Sequence, residues 1–577
     1  MSLADLTPHR YPPVWRWVID WLWRIEHAFE RSRVSGRPED DARVRILFVL
    51  GFFAILFGII GGGAIYAAVF SDAGKPGRSA VLDETAKADL VDRTGQLLAV
   101  NLTHYRLVLD PADVWSRKDT RKALVGTIPK LTARRFNEAM DAGKRRVLAE
   151  GLAPEIRDRI HELGLPGVTF EKSPKRVYPM GSLAAHLVGF SDTGGEGLQG
   201  AEKALQAELR AGAASDTPVA LSIDVRVQAA LEEELQNAVD EFHPKGAVGL
   251  ITNVRTGEVI ALANWPEFDP NRPGKFTELD RKNLAAAQVY EMGSTFKAFT
   301  VAIGLDAGVA QMDSTFDART PMRMGYRTIH DFHGTNRILT LGEVFNHSSN
   351  IGTAKLAMGI GVPTLKRYFD ALGLTRRAGV ELKETASPLT PTRWNDDALA
   401  SVSFGHGINV SPLSLAQAMG SILNGGAMVP LTILKRPADY HPAGPRVVSE
   451  GTTQAMLKIM RGNVVEGTGR RADAAGLSVG GKTGTGEKYD PEIRGYSPTR
   501  QVASFAAVFP TDGPADTTRY FVLVLLDEPT GGARTGGLVA APAVGRVIDR
   551  SARFLGVPRQ LQRPDFDIAT IQKGAPL

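Results

Sequence analysis

Apolar and polar positions divide this chain into a membrane-seeking N-terminal part and a long mixed part. From Ile46 through Phe70 no residue is charged, and the run is long enough to cross a bilayer as one helix. A cleaved leader has a shorter apolar core followed by a small-x-small site, so the pattern predicts a retained anchor. Arg31, Arg33, Arg37, Arg43 and Arg45 precede the run, whereas a comparable stretch after it holds only Lys75 and Arg78. That asymmetry puts the N-terminus in the cytoplasm and the bulk of the chain outside. Ahead of the anchor, Val14 to Arg31 reads as a helix with one polar stripe: Arg16, Asp20, Arg24, His27 and Arg31. Trp15, Trp17, Ile19, Trp21, Leu22, Trp23, Ile25 and Phe29 surround that stripe. A wide tryptophan-rich face beside arginines suits a helix lying on the membrane surface; docking onto a cytoplasmic partner is the competing idea. Within the anchor, Ala54, Gly58 and Gly62 form a small-residue seam that would admit another membrane helix. Glycine is also simply frequent in such helices.

Beyond the anchor the pattern changes twice. Residues 71–240 carry short strand-like runs (Leu97-Ala99, Tyr105-Leu109, Val168-Phe170) among charged helical stretches, Ala133 to Leu148 and Pro154 to Leu163. Arg210 to Ser215 reads as an Ala-Gly loop before a strand at Val219-Ile223. From Lys245 the strands lengthen. Ala247-Asn253 and Glu258-Asn264 form a hairpin through a Thr256-Gly257 turn, and Val502-Phe509 pairs with Tyr520-Leu526 ahead of a helix from Ala540 to Leu555. Strands at both ends of a segment, with helices between, predict one sheet closed by its termini, an α/β arrangement over 241–565. The last dozen residues, 566–577, read as a loose tail.

Composition narrows the chemistry. The chain has 577 residues, 43% hydrophobic and 23% charged, ordinary values for folded protein with room for several domains. A net charge of +5 is small for this length and does not suggest nucleic-acid binding. The absence of cysteine excludes disulfides, thiolate catalysis and the usual zinc motifs. His330-Asp331-Phe332-His333 holds a close histidine pair, read as a loop because no third ligand is evident. No metal and no cofactor is called for.

Three short words carry the chemistry: Ser294-Thr295-Phe296-Lys297, Ser348-Ser349-Asn350 and Lys482-Thr483-Gly484-Thr485. Each is common alone; in this order they match serine acyl-transferases that open a D-alanyl peptide bond or a β-lactam ring. A serine hydroxyl needs a base within reach, and no histidine here sits in a recognisable triad. Three-residue spacing puts Ser294 and Lys297 on one helical face. The apolar run Ala298, Phe299, Val301, Ala302, Ile303 and Leu305 predicts burial that lowers the lysine's pKa. Ser294 at a helix start meets free N–H groups that favour negative charge. The glycine-rich strand around Lys482 would supply a second oxyanion donor, Thr485 N–H beside Ser294 N–H. Gly484 would let a substrate backbone approach closely, and Lys482, Thr483 and Thr485 would hold a terminal carboxylate. Ser348 would relay a proton to the departing amine and Asn350 would bind the substrate amide.

Further words extend the likeness beyond the site. Asp92-Arg93-Thr94-Gly95-Gln96-Leu97-Leu98-Ala99, Arg176-Val177-Tyr178-Pro179-Met180-Gly181, Ala185-His186-Leu187-Val188-Gly189-Phe190 and Gly197-Leu198-Gln199-Gly200-Ala201-Glu202 lie before the catalytic part; Gly405-His406-Gly407 and Ser411-Pro412-Leu413 lie within it. On these residues the chain resembles the class B penicillin-binding proteins, most closely the septal (FtsI) transpeptidases. Lys87-Ala88 stands where that family usually has Arg-Gly, and Ser411 where it usually has threonine. Elongation-branch members tend to carry aspartate where this chain has Asn350, so the division branch is preferred.

The resemblance implies a penicillin-binding/β-lactamase-like domain, an N-terminal α+β non-catalytic (pedestal or dimerisation-like) domain and one transmembrane helix. It implies a bacterial inner-membrane enzyme with a periplasmic catalytic domain. Its substrates would be peptidoglycan stem peptides ending in D-Ala-D-Ala, and β-lactams would inhibit it. A SEDS-family glycosyltransferase and other division membrane proteins would be its partners. Two other readings remain: a β-lactam hydrolase, for which no deacylation motif is recognisable, and a division scaffold, against which the intact motifs argue.

Overall fold

The computed structural model describes residues 13–70 and 87–560, apart from Tyr326, His333, Ala443, Pro491 and Arg494. The chain forms two compact units, Met1–Asp83 and Glu84–Leu577. The first unit holds helices α1 (Pro13–Ser35) and α2 (Pro38–Phe70). Gly36, at φ +56°, makes the turn between them, and Pro38 starts α2 where its missing N–H costs nothing. Within α2, Val44–Gly61 is apolar and long enough to cross a membrane; Phe52, Phe53, Phe57, Ile59 and Ile60 are exposed along it. On the polar stripe of α1, Arg24 Nε meets Asp20 Oδ2 at 3.0 Å. The Trp21 ring lies against Gly51 of α2, with no room for a Cβ. At least this tryptophan therefore packs on the anchor helix. The side chains of Trp15, Trp17, Ala54 and Gly62, together with Lys75, Arg78 and the tail 566–577, lie outside the described residues.

In the second unit, the part before residue 225 has its own small core. Strands Tyr105–Leu109, Arg146–Leu152 and Val168–Lys172 form a sheet with Tyr105–Leu109 in the middle. Leu107, Leu109, Leu124, Phe136, Leu148 and Ile160 are buried together beneath it. The expected helix Ala133 to Leu148 ends at Asp141. Gly143 at φ +61° breaks it, and the β-branched and long side chains after it pair as a strand with Tyr105–Leu109. The expected loop Arg210 to Ser215 is instead the end of a helix, Gln206–Ala214. Gly212 serves packing there: a Cβ would lie 2.6 Å from Thr217 O and 2.8 Å from Ala88 Cβ. Nearby, Lys87 Nζ and Arg176 Nε both bind the buried Glu202 carboxylate, at 2.8 and 2.7 Å. Lys87 is thus held in a buried charge pair.

The remainder is built on a five-stranded antiparallel sheet: β1 (Gly246–Asn253), β2 (Val259–Trp265), β3 (Gly480–Asp490), β4 (Gly495–Phe509) and β5 (Tyr520–Asp527). The strand order is β2-β1-β5-β4-β3, so strands from both ends of the segment meet at the β1–β5 pair. β1 is buried along its whole length, which explains its unbroken apolar run. Alternate residues serve opposite cores: Val248 and Leu250 face one cluster, Ala247 and Ile251 the other. Helix α3 (Val225–Phe242) covers the second face with the C-terminal helix Ala541–Ser551. Leu231 of α3 fills the space above Gly249. The apolar face of α3, with Val227, Leu231, Leu235 and Val239, is thus buried on this sheet.

Candidate active site

The three motif segments converge on one cavity of about 480 Å³ lined by Ser294, Ser348, Asn350, Thr483 and Thr485 among others. Ser294 lies in a 3-10 turn, Gly293–Phe296, that runs into helix α4 (Lys297–Asp306). Its neighbours along α4 are buried through Gly304, because this helix sits among apolar helices on all sides. Lys297 is therefore fully buried with its ammonium end directed at the second motif. Its Nζ reaches Ser348 O at 2.5 Å, Asn350 Oδ1 at 2.7 Å and Ser348 Oγ at 3.0 Å. Two of these partners are pure acceptors, so they consume two N–H groups. The third position is either an N–H or, in the neutral amine, a lone pair facing a hydroxyl. Burial first, then the nearby Lys482 charge, holds Lys297 well below the usual lysine range, against a smaller opposing pull from Asp331.

Ser348 adopts a left-handed backbone at φ +58°, a conformation that costs a non-glycine residue energy and clusters at functional sites. Asp331 holds the turn in place: Ser349 Oγ donates to Oδ2 at 2.7 Å and Ile351 N–H to Oδ1 at 3.0 Å. Ser349 Oγ also caps the helix Asn350–Ile360 through Gly352 N–H. Asn350 Nδ2 donates to His330 O at 3.0 Å. Thus Asp331, read from sequence as part of an inert loop, shapes the second motif; the loop's His333 lies outside the described residues. Among the described residues no cluster of three or more His, Cys, Asp or Glu could hold a metal ion.

Alternation along β3 decides what its motif presents. Thr483, Thr485 and Glu487 line the cavity, whereas Lys482 and Gly484 do not. Lys482 is fully buried; its Nζ donates to Ser348 Oγ at 3.0 Å and to Thr483 Oγ1 at 3.2 Å. Burial lowers its pKa to about 7. It does not line the cavity, because β-strand period two sends it to the face opposite the threonines. A Cβ at Gly484 would lie 2.6 Å from Met292 O and 2.8 Å from Thr295 Cγ2. The close approaches that this glycine permits include the Ser504 hydroxyl on β4 and the turn that carries Ser294. β3 is the sheet's edge strand, so half of its N–H and C=O groups point away from β4. Thr485 O comes against Gly293, where no Cβ would fit.

Sequence reasoning missed several residues around this core. Asn463 Nδ2, on the helix Glu450–Val465, donates to Gly481 O at 2.7 Å, and Thr468 Oγ1, just beyond that helix, bonds Thr483 Oγ1 at 2.9 Å; both fix β3. Arg470 and Arg471 line the cavity, and Glu291, three residues before Ser294, accepts from Tyr496 OH at 2.7 Å. None stands in a recognisable pattern with the motifs. Ser411 caps the helix Pro412–Leu423 through Ser414 N–H at 3.1 Å, a role that serine fills as well as threonine.

Comparison with known proteins agrees with this geometry. Residues 247–549 match the penicillin-binding protein transpeptidase domain and residues 84–214 the penicillin-binding protein dimerisation domain. The chain is 58% identical over 572 residues to the probable peptidoglycan D,D-transpeptidase FtsI of Caulobacter vibrioides, covering 97% of each chain. It is 30% identical over 526 residues to the peptidoglycan D,D-transpeptidase FtsI of Escherichia coli K12, covering 85% of this chain and 87% of that one. Among solved structures, penicillin-binding protein 3 of Mycobacterium tuberculosis in complex with aztreonam superposes with a TM-score of 0.63 at 25% identity, over 82% of this chain and 97% of that one. The two matched domains, in the order dimerisation then transpeptidase, and the identity over nearly the whole chain settle the family: the chain belongs to the FtsI family of class B penicillin-binding proteins, serine-type peptidoglycan D,D-transpeptidases.

Proposed function

We propose that Ser294 attacks the carbonyl between the last two D-alanines of a peptidoglycan stem peptide, with Lys297 as its base, during septal wall synthesis. The observation that carries this reading is the meeting of two buried lysines on one hydroxyl, Ser348 Oγ, in the cavity that Ser294 lines. Two ammonium groups so placed cannot both stay charged at low cost; the one relieved of its proton is a base. Ser348, bonded to both, passes the proton on to the departing D-alanine amine. The developing oxyanion sits between Ser294 N–H and Thr485 N–H. In a strand the N–H and C=O of one residue point the same way, so the Thr485 carbonyl at Gly293 argues for its N–H on the nucleophile's side. Thr483 and Thr485 hold the substrate carboxylate, with the charge of Lys482 behind them, and Asn350 binds the substrate amide. Release of D-alanine leaves an acyl-enzyme that passes to an amine on a neighbouring stem peptide. β-Lactams acylate Ser294 because they imitate the first step.

In this reading α2 is a single-pass anchor in a bacterial inner membrane, with α1 cytoplasmic and the catalytic unit periplasmic. A SEDS-family glycosyltransferase and other division membrane proteins are its partners. The chain has no cysteine, so single substitutions report topology: an impermeant maleimide should label Ser215→Cys but not Ser2→Cys in spheroplasts, and the reverse pattern refutes the orientation. Catalysis is tested by intact mass of the full chain in detergent after benzylpenicillin. A stable adduct of one whole drug molecule, absent from Ser294→Ala, is expected. Destruction of the drug without an adduct would make the protein a hydrolase, and an adduct on the Ser294→Ala chain would move the nucleophile elsewhere.

A further inference from the structure

The turn Gly405-His406-Gly407 is fastened to the residues that lead into the nucleophile. Gly405, at φ +87°, lies against Gly293 O with no room for a Cβ. Gly407 N–H donates to Glu291 Oε1 at 3.1 Å, the oxygen that also accepts from Tyr496 OH. The second carboxylate oxygen, Oε2, is buried without a hydrogen-bond partner and faces His406 Nδ1 at 3.4 Å. The Glu291 side chain is 10% exposed and that of His406 28%, and the imidazole lines the cavity shared with Ser294. An imidazole with one nitrogen turned to a buried carboxylate, and its ring open to a reaction cavity, is arranged to accept a proton through Nε2.

The proposed reaction leaves such a proton unassigned. At neutral pH an amine acceptor arrives as an ammonium and must shed two protons before its nitrogen becomes an amide N–H. Ser294 Oγ, on leaving the acyl group, takes back one. We propose that His406, oriented by Glu291, removes the other proton and so delivers the acceptor to the acyl-enzyme as a free amine. This inference rests on the transpeptidase reading above. The nitrogen–carbonyl bond then forms and the Ser294 Oγ–carbonyl bond breaks. One proton passes through the Lys297–Ser348 pair to Ser294 Oγ, and one leaves His406 for solvent through the open cavity. His406 is the catalytic residue of this step and Glu291 a positioning residue. The charged and titratable groups that bear on them are Lys297, Arg327, Glu487 and Tyr496. Burial first, then Lys297 and Arg327, lowers the imidazole's pKa, so the ring is neutral before the step and gives its proton up readily to solvent after it.

The test uses the full chain in detergent with a D-alanyl thioester donor and D-alanine as acceptor, resolving transferred from hydrolysed product. In parallel, the acylation rate by benzylpenicillin is measured. For His406→Gln, transfer at pH 7 should fall about 100-fold or more beyond any change in acylation, and raising the pH toward the acceptor amine's own pKa should restore it. Glu291→Gln should lower transfer less, and the double variant should match His406→Gln alone, because a residue that acts through His406 has nothing left to position. Equal falls in acylation and transfer, or no recovery at high pH, would overturn the proposal. A parent chain that hydrolyses the donor and never transfers it would overturn the transpeptidase reading itself.

Discussion

Gly484→Ala tests how closely β3 must approach the nucleophile turn. The backbone angle at Gly484 is ordinary, so space alone decides the outcome. A Cβ there lies 2.6 Å from Met292 O and 2.8 Å from Thr295 Cγ2, about 0.8 Å inside an ordinary contact distance of about 3.4 Å for the carbonyl. Met292 O cannot move aside, because it accepts the Thr295 hydroxyl at 3.0 Å within the turn that carries Ser294. Either the strand or the turn must shift by most of that distance. Overpacking of this kind costs about 1–3 kcal/mol in stability. The larger effect falls on rate, since misplacing reacting groups by about 1 Å can cost ~100-fold. The assay is the second-order acylation rate of the full chain by a fluorescent penicillin, with the melting temperature measured alongside. Gly342→Ala is the control, because its Cβ would meet nothing within 4 Å. A Gly484→Ala chain that acylates within about threefold of the parent refutes the argument. A loss confined to bulky acyl donors, with small ones unaffected, would show instead that the glycine makes room for substrate.

Asp331→Asn removes the charged acceptor that fixes the Ser348 turn, at about 1.5–3 kcal/mol for a hydrogen bond to a charged group. The plateau acylation rate should fall about 10- to 100-fold, while its acid limb moves to lower pH because an anion that raises Lys297 has gone; a limb that moves to higher pH would contradict this. Glu202→Gln strands the buried Lys87 and Arg176 cations and should cost about 3–5 kcal/mol in denaturant unfolding; a loss below about 1 kcal/mol would mean that the cluster is hydrated. His186 is buried, with Nε2 at 2.8 Å from Asp280 O, and burial lowers its pKa to about 4. The unfolded chain takes up that proton near pH 6.5, so the contribution is whole above pH 6.5 and is lost as pH falls toward 4, about 3 kcal/mol in all. Melting temperatures across that window should drop less steeply for His186→Gln than for the parent, and equal slopes would refute the assignment.

The sequence carried the chemistry more legibly than the geometry, for a physical reason. A motif names side chains, and spacing names local structure. Ser294 and Lys297 fell on one turn as expected, and the apolar run after them folded as the buried helix α4. The strands that begin and end the catalytic segment were visible because their apolar runs are long and bounded by turn residues. What failed to show was whatever depends on a neighbour distant in sequence. Gly212 looked like a loop residue because only the approach of Thr217 and Ala88 explains a glycine inside a helix. The partner of helix α3 was equally invisible, because β1 and its Gly249 supply the surface that its leucines cover. Lys482 illustrates the point most sharply. As a word in a motif it is a cation suited to a carboxylate; buried beneath Thr483 with a pKa near 7, it is a group whose charge depends on what its neighbours carry. Asp331 and Glu291 had no motif to announce them, and His406 stood in one only as the unspecified residue between Gly405 and Gly407. Each matters because the fold turns it toward Ser348, Ser294 or the cavity between them, and that direction is a property of packing. Reading a site of this kind therefore needs two steps: residue types propose the reaction, and burial then decides which of those residues meet substrate and which set the charge of the ones that do.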